Sequence, residues 1–240
     1  MSYVQLEPRR ALRAARILAS DPDDLPQVFT IIESLSFGTL ERMAARLGQT
    51  AGGKRLLETR PDIVKLLEDR AALARLPEGS LGRAYLAFVT RENISAEGIR
   101  AAATKGTAHA RELPAPFDFI HARMRDTHDL WHAVTGYSGD VLGEAALLAF
   151  TFAQTWNPGI ALIIGIGITK TIRSQIGDGP AARKTIRDGF RRGRKAKWLV
   201  EQEWETMLAL PVEEVRRRLN VEAPPVYREV RSSEIKAKAA

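Results

Sequence analysis

The sequence predicts an all-α fold. Apolar residues recur at helical three- and four-residue spacing, the intervening punctuation is that of helix caps, and no alternating strand pattern of useful length occurs. No internal repeat divides the 240 residues, so the chain reads as a single helical domain over residues 1–222. Residues 223–240 read as an unstructured tail, with two prolines and a polar end, RSSEIKAKAA.

The elements follow in order. Arg9 to Leu18 forms an amphipathic helix with Leu12, Ala15 and Leu18 on one side. This Arg- and Ala-rich start also has the composition of a mitochondrial presequence, but the apolar spacing favours a structural helix, and there is no secretory apolar stretch. A second helix starts near Asp24, its acidic start suited to the helix dipole, and carries Leu25, Val28, Phe29, Ile32 and Leu35. Gly38 interrupts before a helix over Thr39 to Leu47; Gly52-Gly53 reads as a loop, and Pro61 opens a short helix through Leu67. Ser80 caps Leu81 to Val89, and Ser95 caps the next helix from Ala96. After an irregular stretch with Pro114 and Pro116, one long helix is expected from Asp118 through Val134. Beyond the break at residues 136–139, Asp140 caps a helix to Trp156. Asn157-Pro158 opens another, which should stop at Gly177 before Pro180. One or two helices span Pro180 to Leu210, and a last one runs from Pro211 to near Asn220.

Composition limits the chemistry. With no cysteine, disulfides, cysteine zinc sites and thiol nucleophiles are excluded. A net charge of +7 suits phosphates or an anionic membrane surface, and equally an ordinary basic surface. The densest positive run is Arg183, Lys184, Arg187, Arg191, Arg192, Arg194, Lys195 and Lys197; no nucleic-acid-binding motif accompanies it, so no nucleic-acid partner is expected. GIALIIGIGI at 159–168 is too short to span a membrane, for which roughly 20 apolar residues are needed. It reads as a buried helix, plain core or the wall of an apolar cavity.

Three of the four histidines fall between residues 121 and 132. In His128-Asp129-Leu130-Trp131-His132 the two imidazoles stand at i and i+4, on one helix face, with Asp129 about a quarter turn away. The break at 136–139 turns the chain into an antiparallel neighbour, which sets Glu144 opposite the histidines. Two imidazoles with one or two carboxylates suit a divalent metal and leave room for water or substrate. The plain alternative is an isolated H-x-x-x-H with solvated carboxylates; the added acids and their place across the hairpin favour the metal. His109 and His121 have no such arrangement and read as structural. The zinc-protease pattern H-E-x-x-H is not met, because Asp129 is too short for its water-activating glutamate. The phosphohydrolases with a His-Asp pair need further ligands at spacings this chain lacks.

HDLWHAVTGYSGDVLGE resembles the H-D-x-x-H, eleven residues, then E signature of the coenzyme Q biosynthesis protein four family. DPDDLPQVF, Arg55 to Pro77, GSLGRAYLAFV and the stretch GFRRGRKAKWLVEQEWETMLALPVEEVRRRLNV are also similar to family segments, so the resemblance covers roughly residues 10 to 222. It implies that His128, Asp129, His132 and Glu144 are metal ligands at a catalytic centre, with zinc the first expectation and iron or another transition metal the alternative. The implied reaction replaces the C1 carboxyl of a 4-hydroxy-3-methoxy-5-polyprenylbenzoate by hydroxyl. The implied partners are that polyprenylated substrate, other ubiquinone-biosynthesis proteins, a membrane surface met peripherally and a second copy in a homodimer. The implied place is the cytoplasmic face of a bacterial inner membrane, or the matrix side of the mitochondrial inner membrane in a eukaryote. The reading from a different class is a non-catalytic lipid-binding scaffold whose metal only braces the hairpin.

Overall fold

The computed structural model describes residues 6–21, 23–36, 38–106, 113–173, 179–223 and 225–234. Among them the regular structure is helical, apart from a single bridge between Ser80 and Pro211. The chain order is α1 Pro8–Ser20, α2 Leu25–Ser34, α3 Thr39–Leu47, α4 Ala51–Thr59, α5 Val64–Glu68, α6 Arg70–Arg75 and α7 Leu81–Glu92. It continues with α8 Ala96–Gly106, α9 Phe117–Asp126, α10 His128–Thr135, α11 Val141–Thr155, α12 Pro158–Arg173 and α13 Gly179–Lys195. Two 3-10 turns, Leu199–Glu201 and Trp204–Thr206, precede α14 Val212–Leu219.

The cap residues act as their chemistry dictates. The Ser80 hydroxyl accepts from Arg83 N at 3.3 Å, and Asp140 accepts from Leu142 N and Gly143 N. Asn157 Oδ1 accepts from Gly159 N at 2.8 Å, while its amide donates to Ser36 across the fold. The expected stop of α12 at Gly177 lies outside the described residues.

α11 is the central helix. Its mean character is apolar on nearly every side, and Ala146, Leu147 and Phe150 have no exposed surface. α13 lies against it along two glycines: a Cβ on Gly189 would stand 2.2 Å from Ala146 O, and one on Gly193 2.5 Å from Phe150 O. α12 returns along another side of α11 and joins α1 and α2 in a separate apolar layer around Ile31, Leu18 and Ile163. The larger core gathers α3 to α7, α9 to α11 and residues 198–221 around Trp131, Trp204 and Tyr85.

Three expectations are corrected. Gly52-Gly53 is not a loop: it lies in α4, capped by Thr50, whose hydroxyl accepts from Gly53 N at 3.0 Å. The glycine is there because the start of α4 crowds the end of α3, where a Cβ on Gly53 would be 2.3 Å from Leu47 O. The long helix from Asp118 is broken at Thr127 into α9 and α10; the Thr127 hydroxyl donates to Arg123 O at 2.8 Å, the same carbonyl its own N–H uses, and such back-bonding bends helices. The tail is ordered over residues 225–234, where Val230 is buried and pairs with Val141.

Gly189→Ala is therefore expected to cost about 3 kcal/mol of stability through backbone overlap. Gly165→Ala, where a Cβ meets nothing within 4 Å, should be neutral or stabilising by up to about 1 kcal/mol. Urea denaturation of the two variants checks the contrast.

Candidate metal centre

α10 carries three of the four candidate ligands and is short, so its ends decide its orientation. Its final carbonyls are all taken. Gly136, in the left-handed region at φ 77°, donates its N–H to His132 O at 2.8 Å. The Arg216 guanidinium donates to Val134 O at 2.8 Å and Ala133 O at 3.2 Å, and Arg192 donates to Thr135 O at 2.8 Å. Both arginines are buried, and their charge faces the negative end of the helix dipole. Arg192 also reaches Glu222 O and holds its guanidinium 4.9 Å from the Tyr137 ring centre.

His132 is enclosed, with 0% side-chain exposure. Its ring stacks on Phe88 of α7 at 4.5 Å between centroids, 16° from parallel. Nδ1 lies 2.9 Å from Tyr137 O, and a carbonyl only accepts, so Nδ1 carries the proton and donates. In the neutral ring, Nε2 is then a bare lone pair. That atom is buried and has no hydrogen-bond partner. Glu144 Oε1 stands 3.1 Å from it, outside hydrogen-bond geometry. His128 Nε2 is 3.9 Å from Glu144 Oε2, and the two imidazoles meet edge to face at 4.9 Å. Asp129, buried, sets Oδ1 3.3 Å from His128 Nδ1. Donor atoms of His128, Asp129 and His132 lie within 4.8 Å of one another.

These residues fit a transition metal. In the neutral ring the buried Nε2 lone pair meets no donor and is free for an ion, and the other nitrogen is oriented as metal-bound histidines are. Two nitrogens and two carboxylates form a donor set suited to zinc, iron or similar ions. The site is also open on one side: His128 keeps 28% and Glu144 41% of their side-chain surface. A water or substrate can approach there.

Burial disfavours charge on both His132 and Glu144, yet their mutual attraction outweighs it. His132 is raised from the usual imidazole range by Glu144, Asp129 and the Tyr137 carbonyl; Glu144 is lowered by His132 and then His128. In metal-free protein the His132 contribution to stability is full below about pH 6.5 and is lost as pH rises through the raised value. The Glu144 contribution is present above about pH 4.5 and is lost as pH falls through the lowered value. The metal-free pair thus stabilises most between these limits.

The chain clusters His128, Asp129 and His132 and sets Glu144 against the two histidines. His121 stays apart from them as a half-buried neutral ring, its pKa pushed down to about 4 by desolvation and then by Arg125. His109 lies outside the described residues. The sequence reading missed Phe88, the Tyr137 carbonyl, Arg192 and Arg216. Tyr137 lies in the recognised loop and could have been found from it; Phe88 and the two arginines gave no local signal, since each acts across 44 residues or more.

Fold and site define an all-α protein with a candidate metal centre on a helical hairpin. Residues 10–225 match the family model described as Coenzyme Q (ubiquinone) biosynthesis protein Coq4, and the chain belongs to that family. It is 33% identical over 184 residues to the "Ubiquinone biosynthesis protein coq4, mitochondrial" of Aspergillus clavatus, a match covering 75% of this chain and 60% of that one. The protein of the same name from Aspergillus fumigatus is 33% identical over 184 residues, covering 75% of this chain and 59% of its own. The chain thus spans about 60% of the length of these relatives. A crystal structure from Nostoc punctiforme PCC 73102, at 24% identity, shares the fold with a TM-score of 0.68 over 91% of this chain and 100% of that one.

Removing the Glu144 charge with Glu144→Gln should lower the His132 pKa in metal-free protein, read by NMR titration of the imidazole. An unchanged value would contradict the contact on which the site is built.

Proposed function

We propose that this ubiquinone-biosynthesis protein is a metal-dependent enzyme that oxidatively decarboxylates a 4-hydroxy-3-methoxy-5-polyprenylbenzoate. The observation that carries the reading is the buried Nε2 of His132, which has no protein donor for its lone pair and faces Glu144 and His128 at a centre open to solvent on one side. His128, His132, Glu144 and Asp129 would hold the ion, with zinc the first candidate and iron or another transition metal the alternative. A bound metal with a free position supplies Lewis-acid stabilisation of charge on the substrate's carboxylate or phenolate. In the reaction the bond from C1 to the carboxyl carbon breaks and carbon dioxide leaves. A water oxygen forms the new bond to C1, two protons go to solvent, and two electrons pass to an external oxidant, so that the acid and water give the phenol and carbon dioxide.

The protein groups have distinct tasks. Tyr137 O keeps the His132 proton on Nδ1, and Phe88 walls the ring from water. An apolar seam for the polyprenyl tail begins beside Glu144: Ala145 is in the cluster against which half-buried Ile164 of α12 packs, and a Cβ on Gly167 would meet Ala145 at 3.9 Å. The scaffold reading, in which the metal only braces the hairpin, is weakened because Arg192 and Arg216 already brace α10.

Contact with a membrane surface fits the exposed arginines of α13. Within the basic run, Arg192 is buried, Lys184 pairs with Asp188, and Arg191 and Lys195 pair with Glu222. Arg183, Arg187, Arg194 and Lys197 remain on the outer surface. Each could add about 1 kcal/mol of attraction to anionic lipid. No helix among the described residues is long and apolar enough to cross a membrane, so a peripheral association is proposed, on the bacterial cytoplasmic or the mitochondrial matrix side. Other ubiquinone-biosynthesis proteins and a second copy are proposed partners.

With purified metal-loaded protein, substrate and added oxidant, turnover is expected. His128→Ala should reduce it at least a hundredfold with the fold retained, and Ile164→Asp should raise KM for the prenylated substrate. Absence of turnover with every oxidant supplied would favour the scaffold. In flotation, paired Arg183→Glu and Arg187→Glu should weaken binding to anionic vesicles; binding that ignores anionic lipid would remove the membrane reading.

A further inference from the structure

Residues 225–234 cross the loop between α10 and α11 and bond to that loop, to the start of α11 and to the end of α7. Asp140, the cap of α11, is buried with 1% exposure and accepts four hydrogen bonds. Two come from its own helix, Leu142 N at 3.0 Å and Gly143 N at 3.2 Å. The other two come from the crossing segment: Val230 N at 2.8 Å and the Tyr227 hydroxyl at 2.7 Å. Val141 N returns a bond to Val230 O at 2.9 Å. The Tyr227 hydroxyl, which donates to Asp140, accepts from Ser138 N at 3.0 Å. One phenol therefore joins the cap of α11 to the residue that follows Tyr137, whose carbonyl orients His132.

The far end of the segment reaches the third wall. Arg231 donates to Glu92 at 2.7 Å, at the last residue of α7 and one turn beyond Phe88, which stacks on His132. Glu92 is nearly enclosed, and Arg231 with Arg91 holds its carboxyl below the usual range against the effect of burial. Glu144 stands in the first turn of α11 and donates its N–H to Asp140 O at 2.8 Å. The aim of that turn follows from how Asp140 is held. A buried carboxylate that loses half of its donors must find others, and the loop from 136 to 140 would shift to provide them.

We infer that residues 225–234 are a positioning element of the metal centre, in which Tyr227, through Asp140 and Ser138, sets the separation of Glu144 from His132. The inference rests on the metal-binding reading above. Neither Tyr227 nor Arg231 is a ligand, and each acts through another residue.

The test uses the full chain with Co2+ alone as probe, because its visible absorption reports ligand number and geometry. Tyr227→Phe keeps the ring and loses the hydroxyl; Arg231→Ala frees the other end from a partly exposed position. Both variants are expected to keep the helical circular-dichroism spectrum, to bind Co2+ about tenfold more weakly, the effect typical of residues that orient ligands, and to alter the visible band. A merely structural contribution would lower the unfolding midpoint and leave the band unchanged. Wild-type protein that binds Co2+ with variants within twofold and an identical band overturns the positioning role alone. Wild-type protein that binds no Co2+ overturns the metal reading and the positioning role with it. If Tyr227→Phe fails to fold, Arg231→Ala decides.

Discussion

Two buried guanidinium groups hold the end of α10, and much else depends on them. A helix of eight residues has too few internal hydrogen bonds to fix its own direction, and its last carbonyls would be buried without partners. Arg216 and Arg192 reach those carbonyls from α14 and α13, 82 and 57 residues further along the chain. The docking of both later helices is thereby tied to the orientation of His128, Asp129 and His132. The same contacts place positive charge at the negative end of the α10 dipole, where it is favourable. Loss of either arginine would leave backbone carbonyls unsatisfied in the core, which typically costs about 1–3 kcal/mol for each group.

In the proposed reading, a proton and a metal compete for the centre. Without an ion, His132 and Glu144 relieve each other's burial as a charged pair. With one, the Nε2 lone pair and the carboxylate would serve as ligands, displacing the proton. Metal binding to such a site releases protons and weakens as the medium becomes acidic. The arrangement suits either state, since Nδ1 keeps its proton on the Tyr137 carbonyl in both. His132 is sealed on its Phe88 side, whereas His128 and Glu144 keep access to solvent. That asymmetry suits a centre that must admit a reactant better than one that only ties two helices together.

What could be read from the sequence was local. The two histidines one turn apart, Asp140 as a cap and Glu144 one turn later are governed by spacing within a hairpin, and the structure brings them together. Ser80 and Asn157 cap their helices for the same reason. The failures were tertiary. Gly52-Gly53 looks like a loop until the crowding of α3 against α4 is known. Thr127 breaks a helix whose apolar spacing runs through it, because its hydroxyl takes the Arg123 carbonyl. Arg216 sits in a run of three arginines and is buried while Arg217 and Arg218 are exposed, a difference that no local spacing signals. The segment after Glu222 is polar and proline-rich, so its order over 225–234 comes from Asp140, some 90 residues earlier.

The central claim is that the four clustered side chains hold a metal. Elemental analysis of the protein purified without chelator tests it most directly. About one equivalent of a divalent transition metal per chain is predicted for the wild type, with loss of most of it in a folded His132→Ala variant. A folded wild-type protein that retains no metal, and takes up none on dialysis against zinc or ferrous iron, would contradict it.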